Sequence, residues 1–182
     1  MNGLNVARVL SVAPVSDAAE RLATLFDAHS NRLNRLARRL TRSREDALDL
    51  VQETFVKAAK HLTSIPDGAA NEEAWLVRVL INTRRDQWRK ASIRTRQCAT
   101  PEAAPHRDSF EASLIARDTV WQALDVLSPR RRAILVMHEL EGLSTPATAS
   151  LLGISEITTR WHLSKGKREL ARILKPSSGD KK

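Results

Sequence analysis

The sequence predicts an all-α fold in two small helical domains joined by a flexible linker. Three observations carry this. Ala, Leu and Arg dominate while glycines number 6 and tyrosine is absent, a composition that favours helix over sheet. Apolar residues recur at three- and four-residue steps in several long stretches, and no β-branched run alternates long enough for a convincing strand. Between residues 94 and 112 this pattern lapses into Pro101, Pro105, alanines and mixed charge, which reads as a linker. A length of 182 residues accommodates two small domains.

Residues 1–16 read as a loose tail, and the first domain spans 17–93. Its first helix, 17–40, places Leu22, Leu25, Phe26, Leu33, Leu36, Ala37 and Leu40 on one stripe, with Arg32, Arg35, Arg38 and Arg39 mostly off it. Ser43 is an N-cap for the second helix, and Glu45 and Asp46 fall in its first turn, where acids favour the helix dipole. Its inner stripe is Ala47, Leu50, Val51, Phe55, Ala58 and Leu62, while Asp49, Gln52, Glu53 and Lys57 face away. Ser64-Ile-Pro-Asp-Gly68 is a turn signal. Asn71 is positioned to cap a third helix, 72–93, with Trp75, Leu76, Val79, Leu80 and Thr83 inward.

After the linker the second domain spans 113–176, followed by a tail at 177–182. Leu114, Val120, Trp121, Leu124 and Leu127 form a stripe. Ser128-Pro129 is an N-cap followed by proline at the first helical position. That helix carries Ile134, Leu135, His138 and Leu140 and stops at Gly142.

The formal net charge is +9, so the surface attracts polyanions. Arg78, Arg84, Arg85, Arg89, Lys90, Arg94 and Arg96 face a single acid, Asp86, within one stretch. A second basic group runs from Arg160 to Lys175. Two separated basic faces suggest two contacts with one long polyanion. Cys98 is the only cysteine, which excludes an internal disulfide and a zinc site built on several thiolates. No stretch reads as membrane-spanning, and Met1–Val15 lacks a leading positive cluster, so cytoplasmic residence without membrane insertion is expected. His29, His61, His106, His138 and His162 show no paired metal-ligand spacing, and no nucleophile motif or phosphate loop appears. No metal, cofactor or enzyme activity is therefore expected.

The most specific local pattern lies at 143–174. A short helix beginning at Ser144 or Thr145, as Pro146 requires a first-turn position, buries Ala149 and Leu152. Gly153 supplies a left-handed turn, Ile154 plugs the angle, and Ser155 caps a helix from Glu156 to about Leu174. Helix, glycine turn, apolar plug and capped second helix make a helix-turn-helix. The second helix divides into an inner face (Ile157, Leu163, Leu170, Ile173) and a polar face (Thr158, Thr159, Arg160, His162, Lys165, Arg168). Ser155 and the polar residues near the N-terminus are placed for base edges in a major groove; Lys165, Lys167 and Arg168 suit phosphates.

Leu127-Ser-Pro-Arg-Arg-Arg-Ala-Ile-Leu135, Glu141-Gly-Leu-Ser144 and Leu152-Gly-Ile-Ser155 resemble the C-terminal domain of sigma factors of the extracytoplasmic-function (ECF) subfamily of the sigma-70 family. The front half resembles the same family independently, through Leu40-Thr-Arg-Ser-Arg-Glu-Asp-Ala-Leu-Asp-Leu-Val-Gln-Glu-Thr-Phe55 and Ala74-Trp-Leu-Val-Arg-Val-Leu-Ile-Asn82 with Asp86. The resemblance covers about residues 22–174, in order.

It implies a factor that binds core RNA polymerase, recognises two promoter elements and opens DNA, with catalysis supplied by the polymerase. Asp49, Gln52 and Glu53 match the family's surface for the β′ clamp helices, and the β subunit is a further implied contact. The loop at 62–73 and the third helix match the part that opens the minus-ten element. There Asn82 can read a base edge, Arg78, Arg85 and Arg89 can hold phosphates, and Trp88 can stack on a base or pack. The second domain is implied to read the minus-thirty-five element, and an anti-sigma factor is an implied partner. Thr148 and Trp161 depart from the family pattern. Trp161 either touches thymine methyls or packs on the preceding helix, and Gly166, which costs on the order of 1 kcal/mol relative to Ala in a helix interior, marks either close backbone approach or plain tolerance. The rival reading is a free-standing helix-turn-helix regulator that binds a palindromic duplex as a dimer. The sequence shows no dimerisation stripe for it.

Overall fold

The computed structural model describes residues 13–97 and 120–174. Cys98, most of the expected linker, the expected C-terminal tail and residues 1–12 of the expected N-terminal tail lie outside these residues, whereas 13–16 of that tail are helical. Every described element is helical.

Helix α1 spans Ala13–Leu40, starting before the expected residue 17. Leu25, Leu33, Leu36, Ala37 and Leu40 are buried as the stripe requires. Phe26 is not: it stands half-exposed, its ring 4.9 Å from that of Phe55. Helix α2 spans Arg44–Lys60. The Ser43 hydroxyl accepts the Asp46 amide at 2.9 Å, which satisfies one of the orphan donors of the first turn.

Helix α3 spans Ala69–Gln97, extending the expected 72–93 at both ends. Asn71 is therefore inside the helix and does not cap it. Gly68, at φ +96°, makes the turn, and its carbonyl accepts the amides of Asn71 and Glu72. Leu76, Val77, Leu80, Ile81 and Thr83 are buried, whereas Trp75 and Val79 are only half-buried.

In the second half, α4 is described over 120–126 and α5 spans Pro129–Leu135. The expected continuation to Gly142 widens into a single π turn at Val136–Leu140, closed by the Glu141 amide on the Val136 carbonyl at 3.1 Å. Helices α6, Thr145–Leu152, and α7, Glu156–Leu174, follow. Helix α6 starts where Pro146 demanded, with the Ser144 hydroxyl accepting the Ala147 amide.

The two halves share one apolar core. Ile134, Val136, Met137 and Leu152 join the cluster built by Leu33, Leu50, Leu76 and Leu80. A polar seam runs beside it. Arg32 grips both carboxylate oxygens of Glu141, at 2.8 and 2.7 Å, and Arg39 adds a third bond at 3.1 Å. Glu141 is the largest influence on Arg32, holding its guanidinium above the ordinary arginine value against the opposing pull of burial, with Glu73 adding to it. Arg132, 3% exposed, donates to the Arg39 carbonyl at 2.9 Å and to Asp125 at 2.6 Å and stacks on Trp121. Arg42 also pairs with Asp125. Burial lowers Arg132 from its ordinary value, with Asp125 opposing.

Helix α7 crosses α5 at Gly166, where a Cβ would stand 2.8 Å from Leu135 Cδ1. Close approach, rather than tolerance, explains this glycine. Gly166→Ala gains about 1 kcal/mol of helix propensity but overpacks a buried leucine, at about 1–3 kcal/mol. Urea unfolding is expected to show a net loss in the wild-type background. In a Leu135→Ala background, where the space is open, the same alanine is expected to stabilise.

Candidate nucleic-acid interface

Three surfaces carry the residues singled out in the sequence. On α2, Asp49, Gln52 and Glu53 are exposed on one face. Glu53 accepts from Gln87 Nε2 at 2.9 Å and pairs with Lys57 at 3.2 Å. Lys57 in turn donates to Thr83 at 2.9 Å, so the acid is oriented by α3. Leu48 and Val56 are exposed on the same face, and the sequence reading passed over them. Their positions at i and i+8 around Gln52 give the acidic patch apolar flanks.

On α3, Arg78, Asn82, Arg85 and Arg89 follow a four-three-four spacing that sets them in one row. Asn82 and Arg89 are exposed. Arg78 is not free: its guanidinium lies against Gly153 of the helix-turn-helix, where a Cβ would meet Nη1 at 2.9 Å. Arg85 is half-buried, with Asp86 3.9 Å away. Trp88, also half-buried, borders a cavity of about 210 Å³ shared with Leu127, Pro129 and Arg132. The second half of the chain thus covers the Arg78 end of the row and faces Trp88, and it leaves Asn82 and Arg89 open.

The helix-turn-helix is built as its sequence requires. Gly153 adopts φ +64°, and the Ile154 amide reaches back to the Ala149 carbonyl at 3.1 Å, which closes the C-terminus of α6. Ser155 caps α7 by accepting the Thr158 amide at 3.1 Å. Thr148, buried with no partner for its hydroxyl, is a poor core residue.

The face of α7 differs from the expected one. Thr159, expected to meet DNA, is 0% exposed and donates its hydroxyl to the Ser155 carbonyl at 3.0 Å. Ile157, expected inward, is 78% exposed. The inward row is Thr159, Leu163, Gly166 and Leu170; the outward row is Ile157, Arg160, Trp161, Ser164 and Arg168. Thr158, His162 and Lys165 sit at its margins, half-buried. Arg160 is steadied by Glu156 at 2.8 Å. Lys167 pairs with Glu139 at 2.8 Å, and Arg131 with Glu169. Burial first, then the neighbouring Arg131, Arg130 and Lys165, lowers His162 from the ordinary histidine value, favouring a neutral ring that neither gains nor repels charge at neutral pH.

Among the described residues no helix is long and apolar enough to cross a membrane, and no group of three or more His, Cys, Asp or Glu is placed to hold a metal ion.

Comparison with known proteins agrees with this layout. Residues 25–93 match Sigma-70 region 2, and residues 117–170 match Sigma-70, region 4. The chain is similar to the ECF RNA polymerase sigma factor SigL of Mycobacterium tuberculosis, 36% identical over 170 residues, covering 91% of this chain and 94% of that one. It is 32% identical over 164 residues to the ECF RNA polymerase sigma factor SigE of Mycolicibacterium smegmatis, covering 86% of this chain but only 62% of that longer protein. The fold is similar to that of the sigma factor RpoE from Bartonella quintana, solved in complex with the anti-sigma factor NepR, with a TM-score of 0.57, 25% identity, and 89% of this chain and 99% of that one covered. The fold of CnrH, solved with the cytosolic domain of CnrY, is also similar, with a TM-score of 0.56 at 23% identity over 88% of this chain and 96% of that one. With both sigma-70 regions present in order and a 36% identical ECF relative covered almost end to end, the chain belongs to the extracytoplasmic-function subfamily of the sigma-70 family of RNA polymerase sigma factors.

Proposed function

We propose that this sigma factor directs core RNA polymerase to promoters through three separate faces, and that it acts in the cytoplasm without catalysis of its own. The α2 face, Asp49, Gln52 and Glu53 with Leu48 and Val56 beside them, docks on the β′ clamp helices, and the β subunit takes further contacts. The α3 row, Arg78, Asn82, Arg85 and Arg89 with Trp88 at its edge, holds the melted minus-ten strand: guanidiniums take phosphates, Asn82 reads a base edge, and the indole offers a stacking plane. The α7 face reads the minus-thirty-five duplex. Its contributors are Ser155, Thr158, Arg160, His162, Lys165 and Arg168, and Thr159 is withdrawn from the set because it is buried.

The observation that carries this reading is the combination of a capped helix-turn-helix with an outward basic face and an independent basic row on α3. One long polyanion can contact both. Arg78 lies under Gly153 and Trp88 faces α5, so holding a melted strand along the whole row requires the second domain to move off α3. An anti-sigma partner that favours the closed arrangement fits the same geometry, and the similar Bartonella quintana protein was solved with one.

Arg160→Ala tests the duplex face. The side chain is exposed and contributes only a surface pair with Glu156, worth at most about 1 kcal/mol to the fold. Affinity of the holoenzyme for an upstream-element duplex is expected to fall about tenfold, in line with the 1–3 kcal/mol of a good base contact. Core binding is expected to be unchanged. Equal affinity for the duplex would remove α7 from the reading.

A further inference from the structure

The outward face of α7 is not simply polar. Ile157 and Trp161, one helical turn apart, share it. They are 78% and 49% exposed, on the half of the helix nearest its N-terminus. A soluble helix normally hides such residues, and exposed isoleucine and tryptophan on one face call for an occupant.

The surroundings say which. The Trp161 ring has Lys165 Nζ 4.9 Å from its centroid and the Arg131 guanidinium 5.8 Å away. The His162 ring makes an edge-type contact with it, the two centroids 4.8 Å apart. The indole is therefore held in place by cation–π and edge contacts. Arg160 and Arg168 are exposed on the same face. An apolar pair inside a rim of cations is complementary to a polyanion that presents apolar spots. In the major groove of duplex DNA those spots are thymine 5-methyl groups, flanked by phosphates.

We propose that Ile157 and Trp161 form an apolar reader of thymine methyl groups, and that this pair, rather than hydrogen-bonding side chains alone, sets the sequence that α7 prefers. The inference rests on the reading of α7 as the duplex-reading helix and deepens it. Arg160, Lys165 and Arg168 supply attraction to phosphates, while the pair discriminates methylated pyrimidine edges from others. Replacing thymine by deoxyuridine removes the methyl and leaves every hydrogen-bonding group of the base in place.

The test uses holoenzyme assembled from the full chain and core polymerase. A promoter duplex randomised in its upstream element is first enriched by the wild-type holoenzyme. Each enriched thymine is then changed singly to deoxyuridine, and affinities are compared for wild type, Trp161→Ala and Ile157→Ala. The expected result is that at one or more positions the wild type loses about fourfold per methyl, equivalent to ~0.8 kcal/mol. One or both alanine variants should bind the thymine duplex more weakly and be indifferent to the same change. Ile157 is almost fully exposed, so its variant is expected to fold even if Trp161→Ala does not. Three outcomes overturn the proposal. The first is deoxyuridine tolerated everywhere, with no difference between wild type and variants. The second is variants that lose core binding while keeping thymine discrimination, which would make the pair a protein-docking surface. Absence of any enriched upstream sequence would instead remove the duplex-reading role of α7 itself, and the inference with it.

Discussion

Glu141→Lys is expected to lower the thermal midpoint by about 6–12 °C and to increase the radius of gyration while local helix content is retained. The Glu141 side chain is 11% exposed and its carboxylate takes three bonds from Arg32 and Arg39. Lysine removes the acceptor and adds a third cation to the cluster. Breaking a buried pair costs about 3–5 kcal/mol, and the lower end applies because the Arg39 side chain is 38% exposed. For a domain of 150–250 residues, about 3 kcal/mol corresponds to the stated shift in midpoint. Arg32 keeps Glu73 at 2.9 Å, so α1 and α3 stay together and the loss falls on the packing of the second half against the first. Calorimetry with small-angle scattering measures both effects. An unchanged midpoint and an unchanged radius would show that the Glu141 seam does not hold the two halves together.

The second large effect is expected at α2. Gln52→Ala combined with Glu53→Arg should weaken binding to core polymerase about thirtyfold, equivalent to ~2 kcal/mol, the lower end of the loss for a charged contact that becomes repulsive. Both side chains are exposed, and among the described residues the polar contacts given up are the surface bonds of Glu53 to Gln87 and Lys57, each worth well under about 1 kcal/mol. Helix content and midpoint are therefore expected to remain as in the wild type, which separates the loss from misfolding. A pull-down or fluorescence anisotropy titration with labelled core reads it. Wild-type affinity in the double variant would take the acidic α2 face out of the polymerase interface.

What the sequence made legible, and what it hid, follows from the range of the interactions involved. The start of α2 and the turn at Gly153 were readable because Ser43, Ser144, Ser155 and Gly153 act on amides and dihedral angles within three or four residues of themselves. The start of α3 was misplaced because two local devices competed. Asn71 is a good cap in isolation, but Gly68 turns the chain earlier and its carbonyl takes the Asn71 amide.

The rotation of α7 has a different cause. Its large apolar residues suggested an inner stripe through Ile157, but Leu163 lies six positions on, about 600° of helix, which leaves the two about 120° apart around the axis. The inward row that packs is marked by small residues, Thr159 and Gly166, because α7 runs close to Leu135. Hydrophobicity was a poor guide there because close approach needs small side chains, and the hydroxyl of Thr159 is satisfied by its own helix. The seam between the halves was not legible at all. Arg32 and Glu141 are 109 residues apart, and nothing local distinguishes either from a solvated surface charge.

The same long-range packing decides which parts of the candidate interface are open. Asn82, Arg89 and the outward row of α7 are accessible in the closed arrangement, while Arg78 and Trp88 are covered. On the proposed reading, α7 can therefore meet duplex DNA before α3 takes the melted strand, with the second domain moving off the row as the strand enters.

The most direct test of the whole account is run-off transcription with purified core polymerase, promoter fragments enriched by the holoenzyme, and the full chain added in wild-type and Gln52→Ala/Glu53→Arg forms. Discrete transcripts are expected that depend on the wild-type chain and are strongly reduced with the double variant at equal concentration. Transcription that does not depend on the chain, together with no retention of core polymerase by the wild type, would contradict it.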